Sequence, residues 1–199
     1  NFSSEETDFV RFNHSKVRQP GHVQQRYLTM QLIDGQRHTS VQITLTGAHE
    51  CRNGRDVSVD SHRTCALLDF MRERLAQLPE DPHLLYNTEP VSSDVESENM
   101  LPPADEIVSQ ILAAGAGHDL VGILAMGGIY RGFANSLGQR NWFASHSVNF
   151  DWSFYLQADK AVKCGYAGTQ WNAADFQAKV DDALAQLATL EREPRTIPP

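Results

Sequence analysis

The 199-residue chain is 41% hydrophobic and 21% charged, ordinary values for a globular protein, and it is long enough to bury a core without disulfide or metal staples. Its formal net charge of −8, with Lys and Arg scattered, lacks the cationic footprint that a nucleic-acid duplex demands, so no nucleic-acid partner is expected. No run approaches the roughly 18 apolar residues of a membrane span, because Val121 to Ile129 is broken by Gly122, Gly127 and Gly128, and no basic-then-apolar leader precedes the first charged residues.

The first third patterns as a β-meander. Phe9, Val10 and Phe12 begin a short strand, and Lys16-Val17-Arg18 continue it after a turn. In Val23–Ile33, Leu28, Met30 and Leu32 alternate with polar residues. Asp34-Gly35 follows, a hairpin dipeptide suited to the positive φ angles of a type I′ turn. The return strand alternates Val41, Ile43 and Leu45 with Gln42, Thr44 and Thr46. A helix is predicted over about Ser58 to Leu78, with Cys65, Leu68, Met71, Leu75 and Leu78 as its apolar stripe and Pro79 as its stop.

Asn87 to Pro103 is polar, acidic and proline-bearing, the composition of a linker. Pro102-Pro103 then open a second helix through about Ala114, with Ile107, Val108, Ile111 and Leu112 on one face and Gly115 and Gly117 at its end. A second meander follows, its first two strands, Leu120–Met126 and Ile129–Ser136, predicted to turn at Gly127-Gly128. The next strand patterns most strongly of all. Trp142, Ala144, His146, Val148, Phe150, Trp152, Phe154 and Leu156 sit at even positions, while Asn141, Ser145, Ser147, Asn149, Asp151 and Ser153 sit at odd ones. Such alternation demands an antiparallel sheet with one buried and one polar face, and the length predicts a bulge within it. Ala158-Asp159 turns the chain into a strand at Ala161–Tyr166. A final helix begins at Asn172, with Asp175 as reciprocal cap and Phe176, Val180, Leu184, Leu187 and Leu190 as its stripe, before Pro194 closes it.

The expected fold class is therefore α+β, two antiparallel β-meanders with packing helices in the order βββ-α-linker-α-ββββ-α. The expected organisation is a meander plus helix over 1–86, a linker over 87–103, and an α-ββββ-α subdomain over 104–199 that leads into a missing C-terminal domain. A first residue that is not Met and a last stretch of Thr-Ile-Pro-Pro suggest trimming at both ends. Cys51, Cys65 and Cys164 show no CxxC spacing and are expected as reduced, separately buried thiols in a cytoplasmic protein.

No complete catalytic constellation occurs. His49-Glu50 would need a second His at 53 or 54 for a zinc-binding helix, and those positions hold Asn53 and Gly54. His62 and Cys65 could share a helical face, but two residues do not make a zinc site. Ala134-Asn135-Ser136-Leu137-Gly138 only approaches GxSxG and reads better as a tight turn with Gly138 at positive φ. Asp105-Glu106 match the macrodipole at a helix start. Gly127-Gly128 with Gly132 open no helix, so no phosphate cradle is expected. His146 lies on the aromatic side of the long strand, as a hydrogen-bonded core residue or as a pocket-lining one.

Arg11-Phe12-Asn13-His14-Ser15-Lys16-Val17, the hairpin strands and Leu78-Pro79-Glu80-Asp81-Pro82 resemble the amino-terminal portion of TldD/PmbA (TldE) proteins. Gly128-Ile129-Tyr130-Arg131-Gly132-Phe133-Ala134-Asn135-Ser136-Leu137-Gly138, the aromatic strand and Ala161-Val162-Lys163 resemble the middle region of the same family, and Arg195-Thr196-Ile197-Pro198-Pro199 resembles the segment leading into its carboxy-terminal domain. The resemblance implies a relative of cytoplasmic zinc metallopeptidases, historically labelled modulators of DNA gyrase, whose HExxxH lies in the carboxy-terminal half. It implies no catalytic or metal-binding residue in this stretch, zinc only in a TldD-like parent, and either a homodimer or a TldD/PmbA-type paired subunit around a peptide chamber. The usual helix before the first strand is absent here.

The expected role is thus the non-catalytic front part of such a protein, walling a substrate chamber and making subunit contacts. Phe143, Ser145, Ser147, Asn149, Asp151 and Tyr155 are the expected substrate-facing or interface residues. A stand-alone interaction module and a small-molecule pocket beside the aromatic face are the alternatives.

Overall fold

A computed structural model describes residues 1–47, 49–52, 55–157 and 160–191. The strands are β1 (Phe2–Asn13), β2 (Lys16–Asp34), β3 (Arg37–Thr44), β4 (His49–Arg52), β5 (Arg55–Ser58), β6 (Ser93–Glu96), β7 (Asp119–Ala134), β8 (Arg140–Gln157) and β9 (Lys160–Gly168). The helices are α1 (Val59–Leu75), α2 (Ala104–Ala114) and α3 (Ala173–Thr189). Seven strands form one sheet in the order β3-β2-β1-β7-β8-β6, with β9 also paired to β8, while β4 and β5 form a separate hairpin. The fold is α+β, as the patterning predicts. No helix among the described residues is long and apolar enough to cross a membrane.

The chain divides into two compact units, one made of Asn1–Glu5, Gln24–Glu96 and Ile129–Ala144, the other of Glu6–Val23, Ser97–Gly128 and the chain from Ser145 onward. The second unit holds the main core. Ile107 and Ile111 of α2 and Phe176 and Val180 of α3 are at most 2% exposed, and they pack with Phe150 and Trp152 of β8. Asn172 caps α3 as predicted, its side-chain oxygen accepting from the backbone N–H of Ala174 and Asp175. Tyr166 of β9 fixes the approach to that helix: its hydroxyl donates to the Gln170 carbonyl and accepts from the Asn172 amide.

Gly127-Gly128 is not a turn. β7 runs through both as one continuous strand, so three long strands stand where a four-stranded meander was predicted. The glycines serve close approach instead: a Cβ on Gly127, whose φ is 152°, would collide with the Glu6 carbonyl of β1. Gly122 is likewise occupied by its surroundings, since a Cβ there would stand 2.9 Å from both the Phe150 ring and the Trp152 Cβ. Ser15, at φ 54° in the turn between β1 and β2, ties that turn to the start of β7: its Oγ donates to the His118 carbonyl and accepts from the Leu120 amide.

In the first unit, β2 and β3 pair with Asp34 opposite Arg37, so the two loop residues are Gly35 and Gln36, one position later than the predicted dipeptide. The opening strands are much longer than the short segments predicted, 12 residues for β1 and 19 for β2. α1 stops at Leu75, short of Leu78, and buries Met71 and Leu75. Cys65, predicted on its buried stripe, is exposed, while Cys164 is half-buried and the Cys51 side chain lies outside the described residues. A polar latch joins α1 to the end of β3. The buried Asp60 carboxylate accepts from the amides of Thr46 and Gly47, from the Thr46 hydroxyl and from the Arg63 guanidinium. Those backbone hydrogen bonds, led by Thr46, pull its pKa below the usual 3.8 even though desolvation opposes them.

The acidic segment expected as pure linker contains β6, a four-residue strand parallel to β8. Ala158-Asp159 and Pro194 lie outside the described residues.

Candidate functional site

β8 presents two chemically opposite faces. On the core side Val148, Phe150, Trp152 and Phe154 are at most 1% exposed, and Phe150 and Trp152 stack with centroids 4.7 Å apart and planes 12° from parallel. His146 is half-buried and falls in the even-numbered row of the buried Ala144 and Val148 rather than in the polar row. On the other face Ser147, Asn149, Asp151 and Tyr155 are exposed, and Ser145 and Ser153 are half-buried. The alternation predicted from sequence holds through the strand. The expected bulge is found near its end, where the pairing with β9 shifts between Tyr155 and Gln157.

Register supplies the neighbours of the polar row. Asn149 pairs with Ala167, Asp151 with Gly165, Ser153 with Lys163 and Tyr155 with Ala161. Directly opposed residues share a face, so the row is flanked by small residues except at Lys163. A Cβ on Gly165 would stand 3.0 Å from an Asp151 carboxylate oxygen, so the absence of a side chain at 165 leaves that carboxylate its place. In β7 the residues that alternate away from Leu120, Leu124 and Met126 are Val121, Ile123 and Ala125, and Ile123 is 48% exposed. The result is a shallow surface of hydroxyl, carboxamide and carboxylate groups bordered by Ile123, Lys163 and Tyr155. It offers hydrogen-bond donors and acceptors to a ligand.

Phe143 is also an exposed odd-position residue of β8. It belongs to the first unit, where it pairs with Val95 of β6, and both are exposed, at 40% and 53%. The remaining candidates are dispersed. His49 lies in a β-hairpin strand rather than on a helix, while Asn53 and Gly54 fall outside the described residues. His62 and Cys65 are both exposed on α1. Ser136 sits in a tight turn in which the Asn135 carboxamide oxygen accepts from the amides of Leu137 and Gln139, and Gly138 has a φ of 95°. Asp105 and Glu106 occupy the first turn of α2. No group of three or more His, Cys, Asp or Glu side chains placed to hold a metal occurs among the described residues. The Cys164 thiol is pushed up by burial first and by Asp182 second, which disfavours the reactive thiolate.

No family model and no curated protein matches the sequence. Solved structures do match. TldE from Thermococcus kodakarensis superposes with a TM-score of 0.66 at 10% identity, covering 94% of this chain and 43% of its own. A protein named a modulator of DNA gyrase from Bacteroides thetaiotaomicron gives 0.64 at 10% identity, over 94% of this chain and 44% of its own. A second so named, from Thermotoga maritima, gives 0.63 at 11% identity, over 99% and 45%. The chain has the TldE fold. It spans less than half the length of these three structures.

The residues that sequence reasoning missed on the open face are Ile123 of β7 and Lys163 and Gly165 of β9. β7 is apolar on both faces, so its alternation carried no signal, and cross-strand neighbours emerge only from register.

Proposed function

We propose that this chain is a non-catalytic part of a TldD/PmbA-like protein and that the open face of β8 borders a space occupied by extended peptide. The observation that carries the reading is the division of β8 into a sealed aromatic side and a row in which Ser147, Asn149 and Asp151 are exposed. A surface of small polar groups rimmed by Ile123 and Tyr155 provides hydrogen-bond partners for a peptide backbone and tolerant walls for varied side chains. The fold shared with TldE supports it. In this reading zinc belongs to a TldD-like parent or partner subunit, and the chain contributes wall and subunit contact, as a homodimer or a TldD/PmbA-type pair in the cytoplasm.

The test is the reading frame beyond residue 199 together with the metal content of the full-length product. A downstream HExxxH with bound zinc identifies a peptidase parent, and a matching segment without it identifies a PmbA-like partner. A stop codon directly after residue 199, with no partner subunit recovered, overturns the proposal in favour of a stand-alone interaction module.

A further inference from the structure

We infer that the edge of β8 over Asn141–Ala144 is a docking site for an extended peptide strand, held closed in cis by β6. The strand Ser93–Glu96 pairs in parallel with this edge, Ser93 opposite Asn141, Asp94 opposite Trp142, Val95 opposite Phe143 and Glu96 opposite Ala144. All four of its side chains are exposed. A strand whose side chains stay largely exposed is held mainly by its backbone, and here the grip comes largely from the receiving strand. The Asn141 carboxamide donates to the Val91 carbonyl at 2.9 Å and to the Ser93 hydroxyl at 2.8 Å, and the Arg140 amide donates to Ser92 Oγ at 2.9 Å. Beside this junction lies a cleft of about 390 Å³ lined by Ser92, Ser93, Asp94, Arg140, Asn141 and Trp142.

Backbone pairing plus a carboxamide that reads a carbonyl accepts many sequences, as strand addition to a sheet edge does. The seated segment indicates the class of occupant: an extended peptide of small polar and acidic residues, with its second paired side chain beside the cleft that Arg140 and Trp142 line. β6 then acts as a tethered ligand at an effective concentration of order millimolar, so a free peptide competes poorly until the tether is disabled. The inference concerns an edge in the first unit and stands apart from the open-face reading, which can fail without it.

The probe is a fluorescently labelled peptide of sequence Val-Ser-Ser-Asp-Val-Glu-Ser, titrated into the whole chain by anisotropy. Replacing Ser93, Asp94, Val95 and Glu96 together by Gly is expected to tighten binding at least tenfold over the native chain. A Val95→Cys/Phe143→Cys pair in a Cys65→Ser background is expected to abolish even the weak binding of the native chain when oxidised and to restore that weak binding when reduced. Amide exchange at 141–144 should rise in the glycine variant and fall again with saturating peptide, which reads the site even if the disulfide does not form. No gain in the glycine variant, with near-ultraviolet dichroism unchanged, overturns the inference. So does a glycine variant or native chain that dimerises without binding peptide, because the edge then serves a second copy.

Discussion

The two sides of β8 share one backbone and diverge in what they do. Over Val148–Phe154 the even side chains are sealed under α2 and α3, with Trp152 edge-on to Phe176 at 5.5 Å and stacked on Phe150. Between them Asn149 and Asp151 remain exposed. Because the side-chain period of a strand is two residues, a substitution at 152 and one at 149 or 151 act on different quantities: the first on stability, the second on whatever meets the surface. A strand built this way lets its exposed side chains vary while the fold is kept.

The largest effect is expected at Trp152. Trp152→Ala removes a fully buried ring and should cost about 3–5 kcal/mol, read as a lowered denaturant midpoint. A native midpoint would show that the sealed side is not the core. Gly127→Val should come next, at about 1–3 kcal/mol, because any Cβ meets the Glu6 carbonyl and two paired strands must part to admit it. In the first unit the comparison moves from rings to a polar latch. Asp60→Asn should lower the thermal midpoint at neutral pH. The Asp60 pKa is depressed in the folded chain, so the carboxylate stabilises it above the ordinary value of 3.8, and that contribution is lost as pH falls through the lowered folded value. The gap between native and variant should therefore be full above about pH 4 and close at more acid pH; a gap independent of pH would assign the loss to packing. The smallest effect is expected on the open face, where Ser147→Lys and Asn149→Lys should each change stability by less than about 0.5 kcal/mol.

The parts of this structure legible in the sequence are those where one face is apolar and the other is not. Trp142 to Leu156 announced a two-faced strand, and Ile107 with Ile111 and Phe176 with Val180 announced helix stripes that the core confirms. Where that contrast vanishes, so does the signal. Gly127-Gly128 carries the composition of a hairpin turn, yet its role is set by β1, remote in sequence. β6 is four exposed residues whose pairing depends on the backbone of β8 and the Asn141 carboxamide, which no pattern in residues 93–96 encodes. Cys65 falls at the right spacing for a buried stripe, but α1 buries only Asp60, Met71 and Leu75 among its residues, too few to cover a full helical face. The polar row was legible for the same reason the core was, whereas its neighbours Lys163 and Gly165 required the register with β9.

The central claim, the proposal that the open side of β8 borders peptide, is tested most directly by turnover of an unstructured peptide in the full-length protein, together with the partner subunit that the proposal calls for. Ser147→Lys and Asn149→Lys are compared there with the native chain, with thermal midpoints confirming an intact fold. The account predicts at least a fivefold loss of turnover in both variants with midpoints unchanged. Native turnover in both would contradict it and leave this face as ordinary solvated surface.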